Sequence, residues 1–487
     1  MQTSRFKRAF ERPFLRTRAT TGEPGMKEML LGYVLGPVGG LITNQIFTVY
    51  LNTYWTDVLD LGGAAGGFLA AFPLVSAIFI ALGNLIVGRI IDRGATSQGR
   101  ARPYLLISSV LLALTCVLMY AVPSGNVTAQ LIWIAVTYNL YYAVAFPLYS
   151  VSNSMMLPLA TRDEKKRGVL SVMTNVATIG ASSFATLIMP MITPFLGIDR
   201  HAWLSAMCVF GGFTLAMVVL QYYFTRERVT EETLQTAPER IPLKRQLKAV
   251  LSERYWWIVI LFYLVFQFAG TMQNFSMVYY SNYILGTYND GYTQSLLGIV
   301  TGIPLGLGMF FAWPLAKKLG KRNSIFLGLV VASAGCLIAM LAPTEWLWVV
   351  VGLCLKCLGA APAVYVMMAL FADVLDHIEA KHGFRCDGFS MSLYSIILSL
   401  MLSLCQGVFN GLIKGSGYIA PDPVTGAVAQ NAATQNVFVW CYIGIMMVAY
   451  ALCAALITGL KVERDLAGDH QIILERRERG ASGAHKA

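Results

Sequence analysis

The chain has 487 residues, of which 56% are apolar and 13% are charged, and its formal net charge is +11. A soluble protein of this size carries about 25% charged residues, whereas the apolar runs here recur from end to end, many near or above the roughly 20 residues needed to cross a bilayer. These properties exclude a soluble globular protein and predict an all-α protein that crosses the membrane many times.

Twelve membrane-spanning helices are predicted along the chain. They cover residues 29–56, 63–88, 104–121, 129–157, 169–195, 202–224, 255–283, 293–316, 324–342, 346–374, 388–413 and 435–460. A polar segment separates the first six spans from the last six. We therefore predict two pseudo-symmetric six-helix bundles at 29–224 and 255–461, a linker at 225–254, a basic N-terminal arm at 1–28 and a charged tail at 462–487.

The basic residues predict the orientation of these helices. With both termini in the cytoplasm, only Arg200, Lys356 and Lys414 of the 37 Lys and Arg residues lie away from cytoplasmic segments or their edges. Basic residues are enriched on the cytoplasmic side of membrane proteins, so the net charge reflects topology and argues against nucleic acid as a partner. The sequence has no Gly-x-x-x-x-Gly-Lys-Ser/Thr phosphate loop and no histidines at metal-ligand spacing. It predicts neither an enzyme nor a metal site.

Loops of similar charge recur in the two halves at an offset of roughly 220 residues, as in transporters built from parallel repeats. Gly88-Arg-Ile-Ile-Asp92-Arg93-Gly94 follows the second span, and Lys317–Arg322 follows the eighth. The first of these elements resembles the helix two–three loop of the major facilitator superfamily. The resemblance implies that superfamily's fold of two six-helix bundles.

A charged block at Ala372–Gly388 ends the tenth span. Asp373, Asp376 and Glu379 are spaced three residues apart, which places them on one face of a helix. We call these three residues the acidic stripe and predict that it belongs to a cytoplasmic gate, the alternative being a solvated helix end. The predicted gate residues are Asp92, Arg93, Arg102, Arg167, Asp373, Asp376, Glu379, Arg385 and Asp387.

The Asp373–Asp387 segment resembles the helix ten–eleven loop of the melibiose-permease-like glycoside–pentoside–hexuronide cation symporters, a family of the major facilitator superfamily. Tyr54-Trp55-Thr56-Asp57-Val58, Arg100-Ala-Arg102-Pro103 and Pro147-Leu-Tyr149-Ser150 extend the resemblance over nearly the whole membrane domain. It implies a cavity between the halves that opens alternately to each side, a sugar-like substrate, and gate charge pairs that hold the outward-open state.

The sequence departs from that family at its cation site. The positions of the family's helix-two carboxylates and asparagine read Ile80, Gly83 and Asn84 here. Hard cations prefer several oxygen ligands, commonly with a carboxylate among them. We therefore expect coupling to protons more than to sodium, with Asn84 and Lys356 as the coupling-ion candidates.

Lys356 is the one clear ionisable residue inside a span. It precedes Asp373 by 17 positions (373 − 356), about 25 Å of helix, which places it near the middle of the membrane, where such transporters bind substrate. We predict that Lys356 holds an anionic substrate group such as a hexuronate carboxylate. A proton carrier and a lysine that reaches the outer interface are the alternatives.

Neutral polar residues on the predicted helices complete a candidate substrate site, since sugars bind to amides, hydroxyls and aromatic rings. Interhelical hydrogen bonding is the alternative role for each of them. They are Asn44, Gln45 and Thr48 on helix one, Tyr149 and Asn153 on helix four, Gln267 and Asn274 on helix seven, and Ser395 and Ser399 on helix eleven.

The sequence thus predicts a secondary active transporter of an inner membrane that imports a sugar, glycoside or hexuronide-like solute by alternating access. A facilitated-diffusion uniporter, a lipid or amphiphile carrier and a transport-inactive membrane sensor are the alternatives. The predicted partners are the solute and membrane lipid, with no nucleic acid. We expect a monomer with no cofactor beyond the coupling cation.

Overall fold

The computed structural model describes most of the chain, and almost all of its secondary structure is helical. The described residues are 15–19, 21–93, 98–161, 163–228, 243–288, 290–384, 387–421, 429–466, 468–469, 471–472 and 475.

Twelve long helices follow one another in the described residues, and they coincide with the twelve predicted spans. In chain order they are α1 Met26–Val58, α2 Gly66–Ile91, α3 Arg102–Tyr120, α4 Val127–Leu157, α5 Val169–Leu196, α6 Arg200–Phe224, α7 Arg254–Leu285, α8 Gly291–Gly308 with Phe310–Leu319, α9 Lys321–Leu341, α10 Trp346–His382, α11 Asp387–Ser416 and α12 Ala432–Leu466.

Hydropathy supports a membrane location for these helices. Ten of them are long and apolar enough to cross a bilayer, and α8, which bends by 43°, makes eleven within the described residues. The remaining helix, α11, covers the predicted span 388–413. Large apolar side chains such as Ile78, Phe79 and Leu82 on α2 are exposed, as expected where a helix contacts lipid. The predicted all-α, multi-pass fold is confirmed, while the cytoplasmic location of the termini stays a prediction.

The described residues form two compact units. The first comprises Met1–Pro238, Tyr288–Ser295 and Gln406–Asn431, and the second comprises Glu239–Thr287, Leu296–Cys405 and Ala432–Ala487. The first boundary falls inside the predicted linker at 225–254. Tyr288–Ser295 and Gln406–Asn431, two short segments from the second half of the chain, therefore group with the first unit. The predicted limits of the two bundles did not include this exchange.

A seam of glycines packs α9 against α10 in the second unit. A Cβ atom on Gly335 would lie 2.5 Å from the backbone nitrogen of Lys356, and one on Gly359 would lie 2.5 Å from the backbone nitrogen of Ala332. Glycine permits this close approach of two helix backbones. The seam fixes the rotation of α10, and with it the direction in which Lys356 leaves the helix.

Candidate functional site

Lys356 is buried inside the second unit and has a single hydrogen-bond partner among the residues that the structure describes. It is 5% exposed, and its Nζ donates a 2.8 Å hydrogen bond to Oε1 of Gln273 on α7. No carboxylate forms an ion pair with Lys356 in the part of the chain that the structure describes. The Nε2 atom of Gln273 is also buried and has no hydrogen-bond partner among the described residues. Two buried nitrogen donors therefore belong to one hydrogen-bonded pair of side chains that has no anionic acceptor among the described residues.

Gln273 was not among the residues predicted from the sequence. The helical repeat placed Gln267 and Asn274 on one face of α7, and the structure leaves both side chains exposed. Gln273 precedes Asn274 and lies on the neighbouring face. A polar residue near the middle of an apolar helix, at the depth of Lys356, was the signal that could have identified it.

The predicted residues of α4 form a hydrogen-bonded network in the first unit. The Tyr149 hydroxyl donates to Oε1 of Gln221 at 3.2 Å, and Nε2 of Gln221 donates to Oδ1 of Asn153 at 2.7 Å. Tyr149 is fully buried, and its ring fills the space beside Gly40 where a Cβ atom would lie. The structure thus brings Tyr149 and Asn153 together through Gln221, a residue of α6 that the sequence did not single out.

The predicted residues of α1 are half-buried. Thr48 Oγ1 donates a 2.8 Å hydrogen bond to the backbone oxygen of Asn44, one turn earlier, and Gln45 lies beside them. The Asn44 Oδ1 atom is buried and accepts no hydrogen bond from the described residues. Asn44 therefore offers an acceptor suited to a hydroxyl group.

The structure gives a physical reason for the missing cation ligands on α2. A Cβ atom on Gly83 would collide with the backbone oxygen of Ala143 on α4, so no side chain fits at this position. Asn84 Nδ2 donates a 2.9 Å hydrogen bond to the oxygen of Ile80. Helix packing thus excludes a side chain at Gly83, and the amide nitrogen of Asn84 donates to a backbone oxygen of its own helix.

The acidic stripe on α10 begins with an ion pair inside the second unit. Lys321 Nζ, at the start of α9, donates to Oδ2 of Asp373 at 2.6 Å. Asp376 and Glu379 are half-buried further along the same helix. Beyond the stripe, Lys381 pairs with Glu253 at 2.8 Å. The stripe is therefore tied to the start of α9 through Asp373, and Lys381, which follows the stripe on α10, is tied to the segment that precedes α7.

In each half of the chain, a glutamate caps the N-terminus of a helix. Glu227, just after α6, accepts hydrogen bonds from the backbone nitrogens of Arg100, Ala101 and Arg102 at 2.7–2.8 Å. Glu463, near the end of α12, accepts from the backbone nitrogens of Lys321 and Arg322 at 2.7 and 3.1 Å. Glu227 caps the start of α3 and Glu463 caps the start of α9, the third helix of each half. Free N–H groups and the helix dipole favour a negative charge at these positions.

Arginines reinforce these two caps. Arg102 Nε donates to the backbone oxygen of Tyr222 at 3.0 Å, and Arg322 Nε donates to that of Ile457 at 3.3 Å. The two arginines are 220 positions apart (322 − 102), which matches the repeat seen in the sequence. Arg102 was predicted to belong to the gate, and it ties α3 to α6 within its own unit.

Several predicted residues lie outside the described residues and side chains. They are Asp92, Arg93, Arg167, Arg385, Asp387, Ser395 and Ser399.

Asp57, which belongs to the Tyr54–Val58 motif but was not among the predicted site residues, is a buried carboxylate at the end of α1. Asp57 accepts hydrogen bonds from the hydroxyls of Thr56, Tyr418 and Tyr288 at 2.6, 2.7 and 3.5 Å. A cavity of about 830 Å³ opens beside it within the first unit. Nearby, Gln294 Nε2 donates to the Tyr50 hydroxyl at 2.8 Å. Tyr288, Gln294 and Tyr418 come from the two segments of the second half of the chain that group with the first unit.

Comparison with known proteins identifies a family. The family model described as MFS/sugar transport protein matches residues 32–464. The isoprimeverose transporter of Lactiplantibacillus pentosus is 27% identical over 448 residues, covering 89% of this chain and 88% of that protein. The glucuronide carrier protein homolog of Escherichia coli (strain K12) is 24% identical over 432 residues, covering 87% and 91%.

A solved structure supports the fold independently. A bacterial homologue of the human lysosomal transporter Spinster, in an inward-facing and occupied conformation, matches with a TM-score of 0.65 at 13% identity, covering 90% of this chain and 97% of that one. At this identity the likeness concerns the fold alone.

Proposed function

The chain belongs to the MFS/sugar transport family, and from this premise we propose that it imports a sugar or glycoside-like solute across the inner membrane as a secondary active transporter. The observation that carries the proposal is the family match over residues 32–464, which takes in nearly all of the twelve helices. One relative is named for isoprimeverose and another for glucuronides. A solute of glycoside size is the substrate class that these names support.

Protons are the proposed coupling ion. A sodium site requires several oxygen ligands, and the packing of Gly83 against Ala143 excludes a side-chain ligand at one of the positions that the family uses. Asn84, whose Nδ2 atom donates to Ile80 at 2.9 Å, can offer only its single amide oxygen, which falls short of the several ligands that sodium requires. A proton requires only a titratable group, and Lys356 as the proton carrier remains the alternative to Lys356 as a residue that binds an anion.

Membrane lipid is the other proposed partner, and the transporter is proposed to act as a monomer. The exposed apolar side chains of α2, with Ile78 and Phe79 among them, support contact with lipid. Alternating access in this class requires only the two six-helix halves of one chain. No cofactor is proposed.

Counterflow in proteoliposomes tests the function. Vesicles loaded with an unlabelled glycoside should accumulate the labelled compound, tested with a panel of neutral and anionic glycosides with and without sodium and a pH gradient. We expect counterflow with at least one glycoside and no requirement for sodium. Binding of glycosides without counterflow would contradict transport and favour a sensor.

A further inference from the structure

We propose that Lys356 and Gln273 together bind the carboxylate of an anionic glycoside, so that these two residues make the transporter prefer acidic glycosides over neutral ones. This proposal rests on the proposed function and names the residues that select the substrate of the same transporter. It depends on two observations, the burial of Lys356 without a carboxylate partner and the unpaired Nε2 atom of Gln273.

The buried ammonium group needs an anion. Lys356 is 5% exposed and its one hydrogen-bond acceptor is a neutral amide oxygen. A charge inside a protein or a membrane is costly unless it is paired. The ion pairs of the described residues involve Lys166, Arg228, Lys321, His377 and Lys381 but leave out Lys356. A substrate carboxylate would supply the missing charge.

Gln273 is oriented by Lys356. The lysine ammonium can only donate, so the amide oxygen of Gln273 faces it at 2.8 Å, and the amide nitrogen takes no part in this hydrogen bond. That nitrogen is buried and lacks an acceptor in the described residues. An unpaired buried donor costs free energy, so the free transporter holds an N–H group ready for an acceptor oxygen.

A carboxylate matches this pair of donors better than a hydroxymethyl group does. Its two oxygens can accept from Lys356 Nζ and Gln273 Nε2 at the same time, and hydrogen bonds to a charged group are stronger than neutral ones. The neutral counterpart carries one hydroxyl and leaves the ammonium charge uncompensated. Selectivity for the acid over the neutral sugar follows.

Both donors are held in place before the substrate arrives. Gly335 and Gly352 bring the backbones of α9 and α10 into contact at Lys356, so the lysine leaves a helix that cannot rotate. The hydrogen bond between Lys356 and Gln273 ties α10 to α7. Preorganised donors lose little conformational freedom on binding.

Two chromogenic glycosides that differ at a single group test the proposal. We suggest measuring binding to the purified, full-length transporter and counterflow in proteoliposomes with para-nitrophenyl β-D-glucuronide and para-nitrophenyl β-D-glucoside. The wild type should prefer the glucuronide. Lys356→Gln should weaken glucuronide binding by roughly 10- to 100-fold, which corresponds to about 1.5–3 kcal/mol for hydrogen bonds to a charged group. Binding of the glucoside should change little.

Gln273→Glu gives the sharper test. The new carboxylate would pair with Lys356 and occupy the place of the substrate acid, so glucuronide binding should fall to a similar extent while the lysine remains. Lys356→Arg keeps the charge and should retain more glucuronide binding than Lys356→Gln. Lys414→Gln, which removes an exposed charge at the end of α11, is the matched control and should behave like the wild type.

The outcomes separate this inference from the proposed function. A wild type that prefers the glucoside, or Lys356→Gln and Gln273→Glu variants that bind the glucuronide normally, would overturn the carboxylate site while leaving glycoside transport intact. Counterflow with neither these nor other glycosides would overturn the proposed function itself. Melting temperatures of the variants in detergent show whether a loss of binding reflects unfolding.

Discussion

The Tyr418 hydroxyl donates a 2.7 Å hydrogen bond to Oδ1 of Asp57, although the two residues are 361 positions apart in the sequence. Asp57 is 3% exposed and forms no ion pair within the described residues. Hydroxyl donors therefore stabilise the carboxylate in place of a base. The bond joins α1 to the segment after α11 within the first unit.

Removal of the Tyr418 hydroxyl should destabilise the protein. Hydrogen bonds to charged groups contribute about 1.5–3 kcal/mol, so we expect Tyr418→Phe to lower the melting temperature in detergent. Tyr292→Phe is the control, because that side chain is 68% exposed and its hydroxyl has no hydrogen bond in the described residues. Equal melting temperatures for the two variants would contradict a stabilising role of the bond.

The packing of Gly83 should forbid even a methyl group. Gly83→Ala places a Cβ atom against the backbone oxygen of Ala143, and overpacking of this kind costs about 1–3 kcal/mol. Gly88→Ala on the same helix is the control, since its Cβ would meet no described atom within 4 Å. Thermal unfolding should separate the two variants clearly. A Gly83→Ala protein as stable as Gly88→Ala would mean that α2 and α4 can move apart, and would remove our argument against a cation ligand there.

The two caps should stabilise the two halves to different extents. Glu227 accepts three backbone hydrogen bonds and Glu463 accepts two. We expect both alanine variants to unfold at lower temperature, with Glu227→Ala the more affected, at a cost of about 1–3 kcal/mol for unsatisfied donors. Glutamine at either position keeps an acceptor oxygen and should lie between alanine and the wild type. Alanine variants with unchanged melting temperatures would show that water caps these helices equally well.

Lys321 and Asp373 should be energetically coupled. Their side chains are 25% and 10% exposed, so removal of one partner leaves a poorly solvated charge. We expect Lys321→Met to destabilise the protein, and Asp373→Asn in the same chain to recover part of the loss. A double-mutant cycle of the free energies of unfolding measures the coupling, which for contacting residues is about 0.5–3 kcal/mol. Strictly additive changes in the free energy of unfolding would contradict an interaction between Lys321 and Asp373.

The family was predicted from the resemblance of motifs such as the Asp373–Asp387 segment. Hydropathy and charge were sufficient to predict the twelve helices, because a bilayer imposes a minimum length and apolar composition on each span. They also identified Lys356, because an ionisable residue stands out in an apolar helix. Its partner was missed, since the rotation of α7 against α10 depends on side chains from several helices and the polar character of Gln273 alone does not select it over Gln267 and Asn274. The helical repeat favoured Gln267 and Asn274, and the residue in contact is Gln273.

The caps were missed for a different reason. Glu227 and Glu463 lie in polar segments beyond the predicted spans, where a carboxylate has no local pattern that identifies its partner. Tyr149 was predicted from its aromatic ring, but the structure shows its hydroxyl bonded to Gln221, 72 positions away. Long-range hydrogen bonds of this kind depend on helix packing, which a single sequence does not specify.

Proton movement that accompanies a glycoside tests the central claim most directly. Proteoliposomes that enclose a pH-sensitive dye in sodium-free buffer would receive para-nitrophenyl β-D-glucuronide from outside, and the internal pH would be followed. Proton-coupled import predicts that the lumen acidifies as the glycoside enters, and that the signal disappears in the absence of protein. Entry of the glycoside with no change in internal pH, or only after sodium is added, would contradict the account.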